Sequence, residues 1–281
     1  MNGLMTMLPT PGMPLLAGFM VMLALALGTW LVSVAKRDVS IVDAAWSLML
    51  LASAITYALA APGGGERAAW VLALMVVWAI RLSAHIIWRG WGEPEDHRYQ
   101  AIRARNEPGF AWKSTYLVFA LQAVLAWVVS LSLYASVSGQ AASGWLDVAG
   151  LLLVAAGILV ESLADLQLAQ FRASPGSKGR VMDRGLWRYS RHPNYFGEFC
   201  VWWGFWLVAL SAAGGVAAAA IFLISPLLMS LLLLRVSGVV LLEKDISERR
   251  PGYREYIAAT NAFFPGPRRR GASLASMSGR D

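Results

Sequence analysis

Seven stretches of about twenty mainly apolar residues succeed one another along this chain, at about 14–35, 41–61, 69–88, 115–136, 145–165, 195–212 and 215–242. A helix of ~20 residues crosses the hydrocarbon of a bilayer, and a backbone in lipid must satisfy its own polar groups. Since 57% of the residues are hydrophobic and only 15% charged, lipid is the solvent for most of the chain. The expectation is an all-α integral membrane protein of seven transmembrane helices. "SAAGG" at 211–215 is a short and apolar break, so a fused reading with six spans stands as the alternative. No basic stretch precedes the first span, which is expected to be retained rather than cleaved.

Basic residues fall in alternate loops. Lys36 and Arg37 follow the first span, Arg89 to Lys113 the third, Arg172 to Arg191 the fifth, and Lys244 onward the seventh. The intervening loops "APGGGER", "SVSGQAASG" and "SAAGG" hold only Arg67. By the positive-inside rule the N-terminus is outside and the C-terminus cytoplasmic. The net charge of +7 is then mostly a topology signal with a contribution toward anionic lipid, and no soluble basic face is left for nucleic acid. Cys200 is the single cysteine, so no intramolecular disulfide forms, and three scattered histidines do not make a metal centre. One membrane domain over 1–266 is expected, followed by a disordered basic and polar tail at 267–281.

Ionisable residues inside spans are costly unless they meet a partner or a cavity, and here they form stripes. Asp43 and Trp46 stand near the start of the second span. Trp78, Arg81, His85 and Trp88 share a face of the third; Glu161, Asp165 and Arg172 recur at i, i+4 and i+11 in and after the fifth. Asn194, Glu198 and Trp202 step by four down the helix that Pro193 opens, and Arg235 lies in the seventh span. Such residues can simply lock helices together. Four stripes adjoining basic loops point instead to a polar chamber open to the cytoplasm, suited to a phosphate-bearing ligand with an aromatic end. No soluble dinucleotide or phosphate-loop motif is present, and no lysine sits mid-helix for a retinal Schiff base.

The stretch "GLWRYSRHPNYFGEF" at 185–199, with "ADLQLAQFRASPGSKGRVMDRG" before it and "RRPGYREYIAATNAFFPGP" after it, resembles the bacterial relatives of the steroid 5α-reductase family. These are membrane enzymes that reduce a conjugated C=C with NADPH. The resemblance implies that Asp165, Arg172, Arg180, Asn194, Glu198 and Trp202 surround NADPH, with Asn194 and Glu198 at the nicotinamide–ribose end and Arg172 and Arg180 at the phosphates. Arg235 resembles a further basic position. Arg81, Arg191 and His192 complete the candidate cofactor-binding set. Arg-His-Pro with a tyrosine-containing tail is also similar to isoprenylcysteine carboxyl methyltransferases, which use S-adenosylmethionine. The full "RHPNYFGE" and the upstream "D-x-x-L-x-x-F-R" favour the reductase. A lipid-binding protein without catalysis is the third reading.

The substrate-polarising end matches least. Where animal members of that family carry a Glu and a Tyr, this chain has Asp43 and Trp78. Desolvation can keep a carboxyl protonated as a donor, which makes Asp43 the first candidate acid, followed by His85 and Tyr195. The expected reaction is hydride transfer from NADPH to the β-carbon of a lipid enone such as a 3-oxo-Δ4 steroid, with a hydrogen-bond donor at the carbonyl oxygen. The apolar substrate would enter from the bilayer, and a bacterial inner membrane is the expected location.

Overall fold

The computed structural model of the chain describes residues 12–61, 63–177, 179–213, 215–236, 239, 243 and 252–269, and no strand occurs among them. The apolar runs become α1 (Gly12–Lys36), α2 (Ile41–Ala60), α3 (Gly65–Gly90), α5 (Phe110–Val129) and α7 (Trp145–Ala173), five helices long and apolar enough to cross a membrane. The protein is a multi-pass membrane protein. Between α3 and α5 lies the polar α4 (His97–Asn106), whose first turn is capped by Asp96 accepting from the Arg98 amide at 2.9 Å. A short α6 (Leu131–Ser138) follows α5. The expected sixth span is α8 (Pro193–Ala212), opened by proline at its first helical position. The expected seventh is represented by the shorter apolar α9 (Ala220–Arg235), which passes through 3-10, α and π geometry. Its continuation to 242 lies almost wholly outside the described residues, as does the tail from 270 on. A small α10 (Tyr253–Ala259) follows.

Two boundaries differ from the hydropathy reading. The fourth span begins at Phe110 rather than 115, because Gly109 in the left-handed region (φ 86°) turns the chain directly into the helix. It ends at Ser130, whose side chain turns to the Trp127 carbonyl. The fifth span runs on to Ala173, so Asp165 and Arg172 stand on the same helix as Glu161.

The chain divides into two compact units. In the first, residues up to Leu151 with Phe205–Ser225, α1 packs on α2 and α2 on α3, while α5 and α6 close against them. The buried face of α1 is a stripe of Met22, Ala26, Trp30 and Ser33, and Leu16, Met20, Leu27 and Leu31 point outward. Large aliphatic side chains thus face outward, as on a lipid-facing helix, and the inner stripe holds Ala26 and Ser33 between the larger Met22 and Trp30. Tyr57 and Ser130 share a hydrogen bond of 2.7 Å, Ser47 donates to the Ala79 carbonyl at 3.0 Å, and Ser136 to that of Phe205 at 3.1 Å. Each contributes roughly 0.6 kcal/mol between membrane helices, so their number matters more than any one of them. Gly18 lies so close to the Tyr57 ring that a Cβ there would fall 2.1 Å from it. Arg67 is buried and donates to Asp147 at 2.6 Å and to the carbonyls of Gly139 and Ala141; Ser211 donates to the same carboxylate. The one basic residue of the loops expected outside is thus part of a buried structural pair.

The second unit, Leu152–Gly204 with Pro226 onward, is built on α7 against α8. Gly157 and Gly197 let these helices touch backbone to backbone: a Cβ on Gly157 would meet the Gly197 carbonyl at 2.6 Å, and one on Gly197 the Glu161 amide at 2.6 Å. A 3-10 turn, Gly185–Arg188, is clipped to α7 by Trp187 Nε1 on the Ala164 carbonyl (3.0 Å) and by the Leu186 amide on Gln167 Oε1 (2.9 Å). Trp203 donates to Ser230 at 3.2 Å, tying α8 to α9.

Candidate functional site

The glycine contact between α7 and α8 brings polar side chains together inside an apolar pair of helices. Glu161 and Asp165 on α7 are buried, and Asn194 in the first turn of α8 donates to Asp165 Oδ1 at 3.2 Å. Glu198 lies one turn further along α8, half-buried, and Trp202 another turn on, fully buried. Four of the residues expected around a cofactor, Asp165, Asn194, Glu198 and Trp202, therefore belong to one helix pair.

Arg172 and Arg180 are exposed at and beyond the end of α7. Arg180 lines a cavity of about 160 Å³ together with Phe171, Ser174, Asp183 and Arg184. Lys178 lies outside the described residues. Arg235 lies in the π segment of α9 and is exposed.

Arg191 and His192 have a different placement. Arg191 is buried and donates both forks of its guanidinium to Glu243, at 2.7 and 2.8 Å, and Nη1 to the Thr260 and Ile257 carbonyls. His192 Nε2 donates to the same carboxylate at 2.9 Å, and its ring stacks on Tyr195 at 5.6 Å. A strap from Thr260 to Arg269 closes over the turn: the Arg191 amide donates to the Asn261 carbonyl (2.9 Å), Ser190 to that of Phe263 (2.7 Å), and the Gly266 amide to that of Tyr189 (3.0 Å). Tyr256 donates to the Trp187 carbonyl at 2.5 Å. The Arg-His-Pro element thus orients the start of α8 with donors already committed to the chain. Burial raises the Glu243 carboxyl, but the hydrogen bonds from His192 and Arg191 and the Arg191 charge outweigh it and hold it at about 2.

In the first unit the expected stripe on α3 splits. Trp78 is fully buried, Arg81 and His85 are half-buried, and Trp88, whose ring centre is 6.1 Å from that of His85, is exposed. Asp43 does not stand as an isolated acid. Its Oδ2 accepts from Arg98 at 2.7 Å and its Oδ1 from the Tyr99 hydroxyl at 2.5 Å, so both oxygens are acceptors and the proton of the pair is on tyrosine. Arg98 is itself held by Asp96 at 2.9 Å. Burial and the Asp43 charge push the Tyr99 hydroxyl far up, so it keeps its proton. The indole nitrogen of Trp46, one turn along α2 from Asp43, is buried without a hydrogen-bond partner among the described residues.

Arg98, Tyr99 and Glu243 were not singled out by sequence reasoning. "DHRY" at 96–99 carries a helix-capping Asp before an Arg–Tyr pair, a legible start of a polar helix, but nothing in it points to Asp43, more than fifty residues away. Glu243, the acid that ends the last apolar run, was readable only as a boundary.

Residues 29–260 match the family described as "Protein of unknown function (DUF1295)". The chain belongs to this family. It is also similar to an uncharacterized protein, C594.04c, of Schizosaccharomyces pombe, with 25% identity covering 90% of this chain and 80% of that one. No solved structure matches. The DUF1295 match includes every candidate residue on α2, α3, α7, α8 and α9 and stops at Thr260, where the strap begins.

Proposed function

We propose that this DUF1295 protein is an NADPH-dependent reductase of the conjugated C=C bond of a lipid enone, of which a 3-oxo-Δ4 steroid is the first candidate. The observation that carries the reading is the Asn194–Asp165 hydrogen bond across the α7–α8 contact, with Glu198 and Trp202 down the same helix, at the positions where "RHPNYFGE" resembles the steroid 5α-reductases. The donor chemistry fits a phosphorylated dinucleotide. Arg180 and Arg184 line one small cavity and suit phosphate, while the Asn194 amide and the Glu198 carboxylate suit a nicotinamide carboxamide or ribose hydroxyls. When bound, NADPH supplies the hydride that adds to the enone β-carbon.

The chain's own residues have separate roles. Asp165 orients the Asn194 amide, and the Glu243–Arg191–His192 cluster fixes the turn from which Asn194 projects. The Tyr99 hydroxyl, whose one proton is donated to Asp43, is assigned to the substrate carbonyl, toward which that proton turns as negative charge develops there. Part of the same reading are seven spans, cytoplasmic basic loops and a bacterial inner membrane.

Titration of purified protein with NADPH tests the proposal. Asn194→Ala is expected to weaken binding by about 1–3 kcal/mol, roughly fivefold to a hundredfold, by leaving a buried partner unpaired. Wild-type affinity in both Asn194→Ala and Glu198→Ala, or binding of S-adenosylmethionine in place of NADPH, would overturn it.

A further inference from the structure

A second cavity, of about 430 Å³, lies where the strap crosses the 3-10 turn, lined by Arg188, Tyr189, Pro267, Arg268 and Arg269. It contains none of the residues assigned above to cofactor or substrate. We propose that it is a headgroup site for an anionic phospholipid of the surrounding bilayer, the lipid phosphate taken by the arginines and the acyl chains lying along the aromatic face of α8.

Charge is the first argument. Three guanidiniums converge on the cavity against one carboxylate, Asp183, which pairs with Arg268 at 3.2 Å. Arg269 reaches only the neutral Asn261 amide, at 3.4 Å, and Arg188 makes no ion pair or hydrogen bond among the described residues. The cavity therefore holds positive charge that no described residue neutralises, in the planar fork geometry that phosphate accepts.

Position is the second. Tyr189 is four residues before Pro193, the first residue of α8, so the cavity sits at the end of a helix rich in aromatic side chains. Phe264 of the strap is exposed and packs against Phe196 and Phe199 of α8, with ring centres 6.1 and 5.8 Å apart. Exposed tyrosine and phenylalanine beside arginine is the composition of a membrane interface, where rings meet the upper acyl chain and guanidiniums the headgroup. A soluble phosphate would use the arginines alone and make no use of the exposed face of Phe264 beside them. Pro265 and Pro267 stiffen the strap, and the Gly266 and Arg269 amides pin it to Tyr189 and Ala259, so the cavity wall is set before a lipid arrives.

The experiment is native mass spectrometry of the full-length protein, released from micelles containing equal amounts of phosphatidylglycerol and phosphatidylcholine. Wild type is expected to retain phosphatidylglycerol preferentially. Arg188→Gln with Arg269→Gln should reduce that retention about thirtyfold, as for two guanidiniums lost near a membrane surface. Arg188→Gln alone should reduce it about fivefold. Arg254→Gln, the same charge change on α10, should leave it unaltered. Because Arg188 makes no bond within the protein among the described residues, the single variant tests the idea even where the double variant folds poorly. Equal retention of the two lipids by wild type, unchanged retention in Arg188→Gln, or displacement of phosphatidylglycerol by inorganic phosphate would each overturn the proposal.

Discussion

Replacing Glu243 by Gln isolates what holds the Arg-His-Pro turn. The Glu243 side chain is 16% exposed and takes both forks of Arg191 and the His192 ring nitrogen, all within 2.9 Å. Lowering of the carboxyl from its ordinary 4.5 to about 2 corresponds to about 3 kcal/mol of folded-state stabilisation. Breaking a buried pair by removing one partner costs about 3–5 kcal/mol, because Arg191, with a side chain only 9% exposed, keeps its charge without a counter-charge. At about 2–4 °C per kcal/mol for a chain of this size, the thermal midpoint should fall by roughly 6–20 °C. The sign with pH follows from the direction of the shift. A depressed carboxylate contributes fully above about pH 4.5, and its contribution is lost as pH falls toward about 2. Tryptophan fluorescence of detergent-solubilised protein, heated near neutrality, near pH 4.5 and near pH 2.5, reads both effects. Wild type should lose stability across the acid interval, and Glu243→Gln should lose much less there. Equal midpoints near neutrality, or a gap between the two proteins that does not change with pH, would refute the reasoning.

Gly197→Ala places a Cβ 2.6 Å from the Glu161 amide and 2.7 Å from the Gly157 carbonyl, where only backbone could yield. The two helices must part, at about 1–3 kcal/mol, and calorimetry in detergent should show a lower midpoint together with weaker NADPH binding; unchanged values for both would remove the close contact from the account. Tyr99→Phe should lower steady-state NADPH oxidation with a steroid enone by about a hundredfold while NADPH affinity stays unchanged, the pattern for loss of a donor used mainly in the transition state. Asp43→Asn, which still leaves an acceptor for Tyr99, should keep part of the activity, and Asp43→Leu should fall about as far as Tyr99→Phe. Full activity in Tyr99→Phe would return the acid to His85 or Tyr195.

The helical, membrane-embedded character of the chain was determined by its sequence alone, because a run of about twenty apolar residues has one stable backbone solution in lipid. The same local physics made α8 legible from Pro193 and the stripe Asn194, Glu198, Trp202 legible from its spacing, since a helix puts every fourth residue on one face. What each polar residue meets was decided only by tertiary structure. Asp43 reads along the chain as a lone acid at a span start, yet Arg98 and Tyr99 arrive from α4 to take both its oxygens. Arg191 reads as a cofactor ligand, yet Glu243 and the carbonyls of Ile257 and Thr260 use its donors. Gly157 and Gly197 matter only once the two helices meet, where the absence of a Cβ lets the backbones close and Asn194 reach Asp165. Periodicity is a property of neighbours three or four residues apart, and these partners lie from about thirty to almost seventy residues apart, where charge and shape are matched by the packing of helices and not by spacing.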